Sequence, residues 1–229
     1  MAKQYTAVTT HIDVDFGPRN RVTVFFRLLL GLPALALLSL LTSTASFDSN
    51  DRREGDWFAY APQGDVTYWA DGGQWSDGGG GAPLVMIPIV LLLLFMGLYP
   101  TWLLTFVHAV QSFSTRVAAY MLLLRDEYPH VLERPYAYVT YPDIEEGRTL
   151  SRGLPLVKWL LAIPHYLVLA VVTPFVLLVA VLAWVAIVFS GRYPQGLAGV
   201  AVWYIGYANR VYGYAVSLVT DSYPRLTEN

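Results

Sequence analysis

The hydrophobic and charged positions divide the chain into long apolar runs separated by shorter polar stretches. No Asp, Glu, Lys or Arg occurs in residues 28–47, 78–115 or 159–191. A run of about 18 or more such residues is a candidate membrane-spanning helix, because roughly 20 helical residues cross the hydrocarbon core of a bilayer. The pattern therefore predicts an all-α membrane protein.

These apolar runs recur in two copies with matching spacing. Residues 97–129 read GLYP, fifteen uncharged residues and RVAAYMLLLRDEYP, whereas residues 191–224 read GRYP, fifteen uncharged residues and RVYGYAVSLVTDSYP. Upstream, RVTVFFRLLLGLP (from residue 21) matches RGLPLVKWLLAIP (from residue 152). Such a repeated spacing predicts two tandem repeats built on one module.

Each repeat is predicted to form a helical hairpin followed by an amphipathic interfacial helix. The first copy has a 37-residue insertion, because Pro33 and Pro100 lie 67 positions apart but Pro164 and Pro194 only 30. The uninterrupted run in the second copy is too long for one span, so we divide it at Thr173-Pro174. The predicted first repeat (1–131) has spans at 24–43 and 84–100, an extracytoplasmic loop at 44–83 and an interfacial helix at 101–125; the second (132–229) has spans at 156–173 and 174–190 and an interfacial helix at 195–220.

Charge predicts the orientation of the chain. The insertion loop holds seven acidic residues but only two of the 15 Lys and Arg. Because positive residues stay on the cytoplasmic side, the loop is expected outside and both termini inside, in a multi-pass protein of the plasma (bacterial inner) membrane. The post-hairpin helices could be third spans, but Arg116 or Arg210 at the bilayer centre would cost about 2.5–3.5 kcal/mol. We therefore expect four spans and parallel repeats, related by an axis along the membrane normal.

Four motifs of the second copy carry a family resemblance: WLLAIPH at 159–165, GRYP at 191–194, RVYGY at 210–214 and TDSYP at 220–224. Together they resemble an uncharacterised bacterial membrane-protein family, domain of unknown function 4389. The first copy matches these motifs less well: it has LLLGLP, GLYP, RVAAY and RDEYP, and it lacks the His and the Arg of GRYP. The resemblance implies a membrane protein with two tandem copies, and it implies no established activity.

One titratable residue lies well inside an apolar span. His165 follows the helix-bending Pro164, so it is a candidate proton relay or ligand, because intramembrane ionisable groups are commonly functional. The alternative is a neutral structural histidine that satisfies the backbone near the proline. The first copy has Ala34 at this position, which excludes a symmetric pair of histidines.

Recurring charges give further candidates. Arg116 and Asp126, like Arg210 and Asp221, are too far apart to pair along one straight helix. One interpretation pairs them between copies, Arg116 with Asp221 and Arg210 with Asp126; the other has the arginines bind lipid phosphate while the aspartates cap turns. Cytoplasmic-side cations attract anionic lipid, and the candidate headgroup contacts are Arg21, Arg27, Arg152 and Lys158.

The insertion loop is rich in aromatic residues. Exposed aromatics are enriched in contact surfaces, so the loop is either a partner-contact segment or a flexible acidic linker. The candidate contact residues are Trp57, Phe58, Tyr60, Tyr68, Trp69 and Trp75.

No enzymatic signature is present. The chain has no cysteine, which excludes disulfides and thiol chemistry, and its four histidines lack metal-ligand spacing. We therefore predict no catalytic, cofactor-binding or metal residue, no cofactor and no nucleic-acid partner. The predicted function is a non-catalytic accessory or scaffolding subunit that contacts membrane lipids and other membrane subunits or further copies of itself. The alternative is a small oligomeric channel or transporter for ions, protons or lipid; a lipid-active enzyme has no residue-level support.

Overall fold

The computed structural model describes residues 7–42, 86–130, 136–144, 150–151 and 153–226, with the backbone alone for residues 86–88. Within these ranges the protein is mostly helical, with seven helices and one two-stranded ribbon. In chain order the elements are β1 (Thr9–Ile12), α1 (Arg21–Phe25), α2 (Arg27–Thr42), α3 (Met86–Phe95), α4 (Thr101–Met121), β2 (Ala137–Thr140), α5 (Pro155–Leu161), α6 (Ile163–Ser190) and α7 (Gln195–Ala215).

Helices α4 and α7 are alike in length and in both termini. Each has 21 residues and begins directly after a proline with extended backbone, Pro100 or Pro194. Just beyond each helix a leucine adopts the left-handed conformation, Leu123 at φ 63° and Leu218 at φ 57°, and reverses the chain. The predicted helices at 101–125 and 195–220 are therefore confirmed as helices that end four or five residues earlier.

Helix α6 is unbroken and corrects the predicted division of residues 156–190. It has 28 residues, continues through Pro174 and ends at Gly191, whose φ of 74° is the left-handed geometry favourable to glycine. The predicted spans 156–173 and 174–190 are wrong as separate helices, because Pro174 removes one backbone donor without reversing the chain. In the described part of the chain, α6 alone is long and apolar enough to cross a membrane, judged by length and composition.

The ribbon and the α4–α7 pair form two stacked layers. Strands β1 and β2 are antiparallel, with Thr9 opposite Thr140. Helices α4 and α7 are also antiparallel, because the Tyr99 hydroxyl donates to the Ser217 carbonyl (3.0 Å) and the Tyr193 hydroxyl donates to the Leu122 carbonyl (3.2 Å). The ribbon lies on this helix pair.

A third, apolar layer packs on the other side of α4 and α7. Ala34 of α2 packs against Phe113 and Val117 of α4. In α6, the Thr173 hydroxyl lies 2.9 Å from the Tyr204 hydroxyl of α7. The outward faces of α2 and α6 remain bare. Their most exposed large side chains are Leu28, Leu29, Leu40, Leu167, Val171, Phe175 and Phe189.

Candidate functional site

The first polar site gathers two arginines around Asp126, just after α4. Arg19 and Arg27 each place Nη1 against Asp126 Oδ1, at 2.7 and 2.9 Å, and both side chains are buried. The Arg27 guanidinium also lies 4.1 Å from the centre of the Tyr120 ring, in cation–π geometry. We call Arg19, Arg27, Asp126 and Tyr120 the first anchor.

A second site has the same construction with a lysine. Lys158 Nζ lies 2.6 Å from Asp221 Oδ1 and 5.5 Å from the centre of the Tyr214 ring. The ammonium, which is fully buried, also donates to the Thr220 carbonyl at 2.8 Å. We call Lys158, Asp221 and Tyr214 the second anchor.

Asp221 stays ionised because its neighbours outweigh its burial. Burial alone would raise the pKa of this carboxyl. The Lys158 ammonium and the Ser151 backbone N–H, which donates to Asp221 Oδ2 at 2.8 Å, instead hold the pKa below its usual value. The contacts with Lys158 and Ser151 therefore favour the carboxylate form of Asp221.

Two arginines in the C-terminal halves of α4 and α7 bind the segments that follow these helices. Arg116 Nη1 donates to the His130 carbonyl at 2.7 Å, and Arg210 Nε donates to the Arg225 carbonyl at 3.2 Å. The predicted cross-pairing of Arg116 with Asp221 and Arg210 with Asp126 is therefore wrong, because the aspartates bind the anchor cations instead. Burial of both guanidinium groups also argues against the alternative contact with lipid phosphate.

His165 lies under α7 in a largely aromatic pocket. Its Nδ1 is 2.6 Å from the Tyr207 hydroxyl, and its ring centre is 4.5 Å from that of Tyr223. Its Nε2 is buried and has no hydrogen-bond partner within the described ranges. This geometry is typical of a structural histidine. The role of proton relay or ligand stays a prediction.

The candidate headgroup contacts separate into two groups. Arg27 and Lys158 are buried in the anchors, which corrects their assignment, since no cationic surface is left for a lipid phosphate. Arg21 is exposed beside the Gly191 turn, so its assignment stays a prediction. Arg152 and the loop aromatics Trp57, Phe58, Tyr60, Tyr68, Trp69 and Trp75 lie outside the described residues.

Sequence reasoning missed a buried amide network between α4 and α7. Gln111 Nε2 donates to the Asn209 carbonyl at 3.0 Å, and Asn209 Nδ2 donates to Thr115 Oγ1 at 3.0 Å. The Tyr141 hydroxyl donates to Gln111 Oε1. The available signal was an amide side chain inside each otherwise apolar run, because a buried amide needs hydrogen-bond partners. The network fastens the helix pair together.

Comparison with known proteins adds one family. Residues 155–226 match the family described as Domain of unknown function (DUF4389), which supports the resemblance seen in the second copy's motifs. That segment contains α5, α6, α7 and the second anchor. No curated protein and no solved structure matches the chain. Within the described ranges, no group of three or more His, Cys, Asp or Glu is placed to hold a metal ion.

Proposed function

We propose that this chain is a non-catalytic integral membrane protein that acts as an accessory or scaffolding subunit of a larger membrane assembly. The observation that carries the proposal is the exposed apolar surface of α2 and α6, where Leu28 is 77% and Phe189 is 79% exposed. Moving one large apolar side chain out of water is worth about 1.5–3 kcal/mol. Extensive exposed apolar surface of this kind indicates a membrane or a protein partner.

Two tandem copies are part of the proposal, and matching contacts support them. Asp126 and Asp221 each bind a buried cation, Arg27 or Lys158, that lies at the start of the first apolar run of the same proposed copy. Arg116 and Arg210 each donate to the carbonyl of the residue after a Tyr-Pro pair. Such agreement at corresponding sequence positions is expected of a duplicated module.

Both termini are proposed to face the cytoplasm, on the charge distribution along the sequence. The second hairpin of the predicted four-span topology is removed from the proposal, because α6 continues through Pro174 as one helix. The first hairpin, over 24–43 and 84–100, rests on the sequence alone, since its loop lies outside the described residues.

A structural role fits the use made of the buried polar groups. The anchor aspartates bind cations of their own chain, and the amide network joins α4 to α7. These contacts fix the positions of the helices, and they pair the buried charges with groups of the same chain. A scaffolding subunit needs such a rigid frame, with its partners held on the outer surface.

The alternative, a small oligomeric channel or transporter, is favoured by one observation. The buried Nε2 of His165 has no hydrogen-bond partner among the described residues, which suits a site that exchanges a proton or binds a passing ion. In this alternative several copies would supply the lining. His165→Ala would then abolish flux in reconstituted vesicles, with Tyr166→Phe on the same helix as the matched control.

The deciding experiment is purification of the tagged full chain from its native membrane in a gentle detergent, followed by native mass spectrometry. A different subunit in fixed ratio is the expected result. A ring of identical chains would favour the channel alternative, and a persistently single chain would contradict the scaffolding role. An untagged strain prepared in parallel identifies proteins that bind the resin alone.

A further inference from the structure

The ribbon lies on the side of the molecule opposite α6. Helix α7 contacts α6 through Tyr204 and Tyr207, whereas Asn209 Nδ2 of the same helix donates to Thr10 Oγ1 of β1 at 3.1 Å. Positions two apart on a helix differ by about 200°, so these contacts lie on opposite faces of α7. Thr173 lies in the interior of α6 and His165 in its first turn, while the segment that follows β1 reaches the other end of the helix, where the Arg19 N–H donates to the Gly191 carbonyl at 2.9 Å. The N-terminal segment therefore runs beside α6 and not beyond one end.

This placement conflicts with an α6 that crosses a bilayer. In a crossing helix the residues around Thr173 would lie at hydrocarbon depth, and the part of the N-terminal segment beside them would lie there too. Yet His11 and Thr140 of the ribbon are exposed, and Tyr138 is partly so. Exposed polar groups and irregular backbone are not tolerated against lipid hydrocarbon.

The cations at both ends of α6 also indicate that this helix does not cross the membrane. Arg152 precedes α5 and α6 in the sequence, and Arg192 follows α6 directly. Arg21 lies beside the Gly191 turn at the second end. Because Lys and Arg near apolar segments are retained in the cytoplasm, both ends are expected on the cytoplasmic side. A single crossing would place one set outside.

Length gives an independent argument. The 28 residues of α6 extend about 42 Å at 1.5 Å per residue. A crossing α6 would keep all 28 of these residues, which include no Asp, Glu, Lys or Arg, inside a hydrocarbon core of about 30 Å only at a tilt of about 45°, beyond the usual range for such helices. A helix lying along the membrane has no such limit.

We infer that α6 lies parallel to the membrane plane within the cytoplasmic leaflet and does not cross. The outward faces of α2 and α6 contact the acyl chains of that leaflet, so α2 does not cross either, and this arrangement replaces the first hairpin of the proposed topology. Helices α4 and α7 lie at the headgroup level, and the ribbon faces the cytoplasm. The apparent axis relating the two copies then runs along the membrane normal. This inference rests on the proposed membrane function and specifies the lipid partner and the surface that binds it.

Three single-cysteine variants test the orientation, because the chain has no native thiol to give background. Gly153→Cys and Ser190→Cys flank α5–α6 at exposed or open positions, and Phe175→Cys lies at its exposed middle. A membrane-impermeant maleimide is expected to label positions 153 and 190 only when the cytoplasmic face is accessible, and position 175 from neither face. Labelling of 153 and 190 from opposite faces would show a crossing; labelling of 175 from outside would show a hairpin.

Spin labels give a second readout that does not depend on reagent access. In phosphatidylethanolamine–phosphatidylglycerol vesicles, labels at Leu167→Cys and Phe189→Cys should lie about 33 Å apart in one helix, against about 15 Å in a hairpin that turns at Pro174. A label at Phe175→Cys should collide readily with oxygen and poorly with a nickel chelate. Protection from both reagents would contradict lipid contact and indicate a protein partner on this face.

Alkaline carbonate extraction distinguishes a failure of the proposed membrane protein from a failure of the inferred orientation of α6. Release of the full chain from the membrane would contradict the integral membrane protein itself. Retention in the pellet, combined with labelling of positions 153 and 190 from opposite faces, would contradict the orientation of α6 alone.

Discussion

The two anchors meet the same requirement with different cations. In the first anchor two guanidinium groups share one carboxylate, and in the second a single ammonium pairs with Asp221 and the Thr220 carbonyl. A planar guanidinium makes several fixed hydrogen bonds and stacks on an aromatic ring, whereas an ammonium is a compact charge. What the two sites share is a carboxylate just after a buried helix and a tyrosine face over the cation. The carboxylate position, more than the kind of cation, therefore defines the anchor.

The largest expected effect comes from removing the shared carboxylate. Asp126→Asn leaves two buried guanidinium groups without a counter-ion, so the free energy of unfolding should fall by about 3–5 kcal/mol. Thermal unfolding in detergent micelles measures the change. The adjacent, exposed Glu127→Gln is the matched control and should unfold like the parent. Equal stability of Asp126→Asn and the control would show that the first anchor does not hold the fold.

A smaller loss is expected at the second anchor. Asp221→Asn removes one charged partner, while Lys158 keeps its bond to the Thr220 carbonyl, so the expected loss is about 1.5–3 kcal/mol. The double variant Lys158→Met/Asp221→Leu removes both charges and should lose less than the two single changes together. Additive losses would mean that the pair is not coupled.

Helices α4 and α7 also differ where they meet the ribbon. A methyl group added at Gly213 would lie 2.5 Å from Val8 Cγ2, whereas the corresponding residue in α4 is a buried alanine, Ala119. Gly213→Ala should therefore destabilise the chain by about 1–3 kcal/mol through overpacking. Adding Val8→Ala should recover part of the loss. A stabilised Gly213→Ala would show that β1 shifts freely on α7.

The smallest effect is a loss of stability in acid that is specific to the second anchor. The pKa of Asp221 is lower in the folded chain than its unfolded value of 3.8, so its stabilising contribution is complete above that pH. The contribution declines as pH falls further towards the folded pKa. The difference in unfolding temperature between the parent and Asp221→Asn should shrink over this range, since asparagine does not titrate. A constant difference would contradict a charge-based anchor.

Local sequence signals predicted the amphipathic helices well and the tertiary partners poorly. The predicted helices at 101–125 and 195–220 begin where α4 and α7 begin, directly after Pro100 and Pro194, because a proline is tolerated at the start of a helix and disfavoured in its interior. The proline at 174 misled, because a helix can continue through one proline when neighbouring packing supports it.

Local sequence signals could not predict which residues pair in the anchors or in the ribbon. Arg27 lies 99 positions from Asp126 in the sequence, and β1 and β2 are four-residue strands that pair across more than 120 residues. Contacts at that separation depend on the whole fold, and neither strand has a local alternation long enough to predict it. The repeat pattern indicated that both aspartates matter, and only the structure could supply their partners.

The segment of the sequence between α2 and α3 has a practical consequence. By the sequence spacing of the proposed repeats, this insertion corresponds to a position that α6 passes through as unbroken helix. The two flanking helices are each held at the end away from it: α2 through Arg27 in the first anchor, and α3 through Leu93, packed with Tyr99 and Leu103. A junction whose flanks are secured elsewhere is suited to carrying foreign sequence. Residues 44–83 are thus the place to exchange for an epitope, a protease site or a fluorescent domain when this protein is followed in cells.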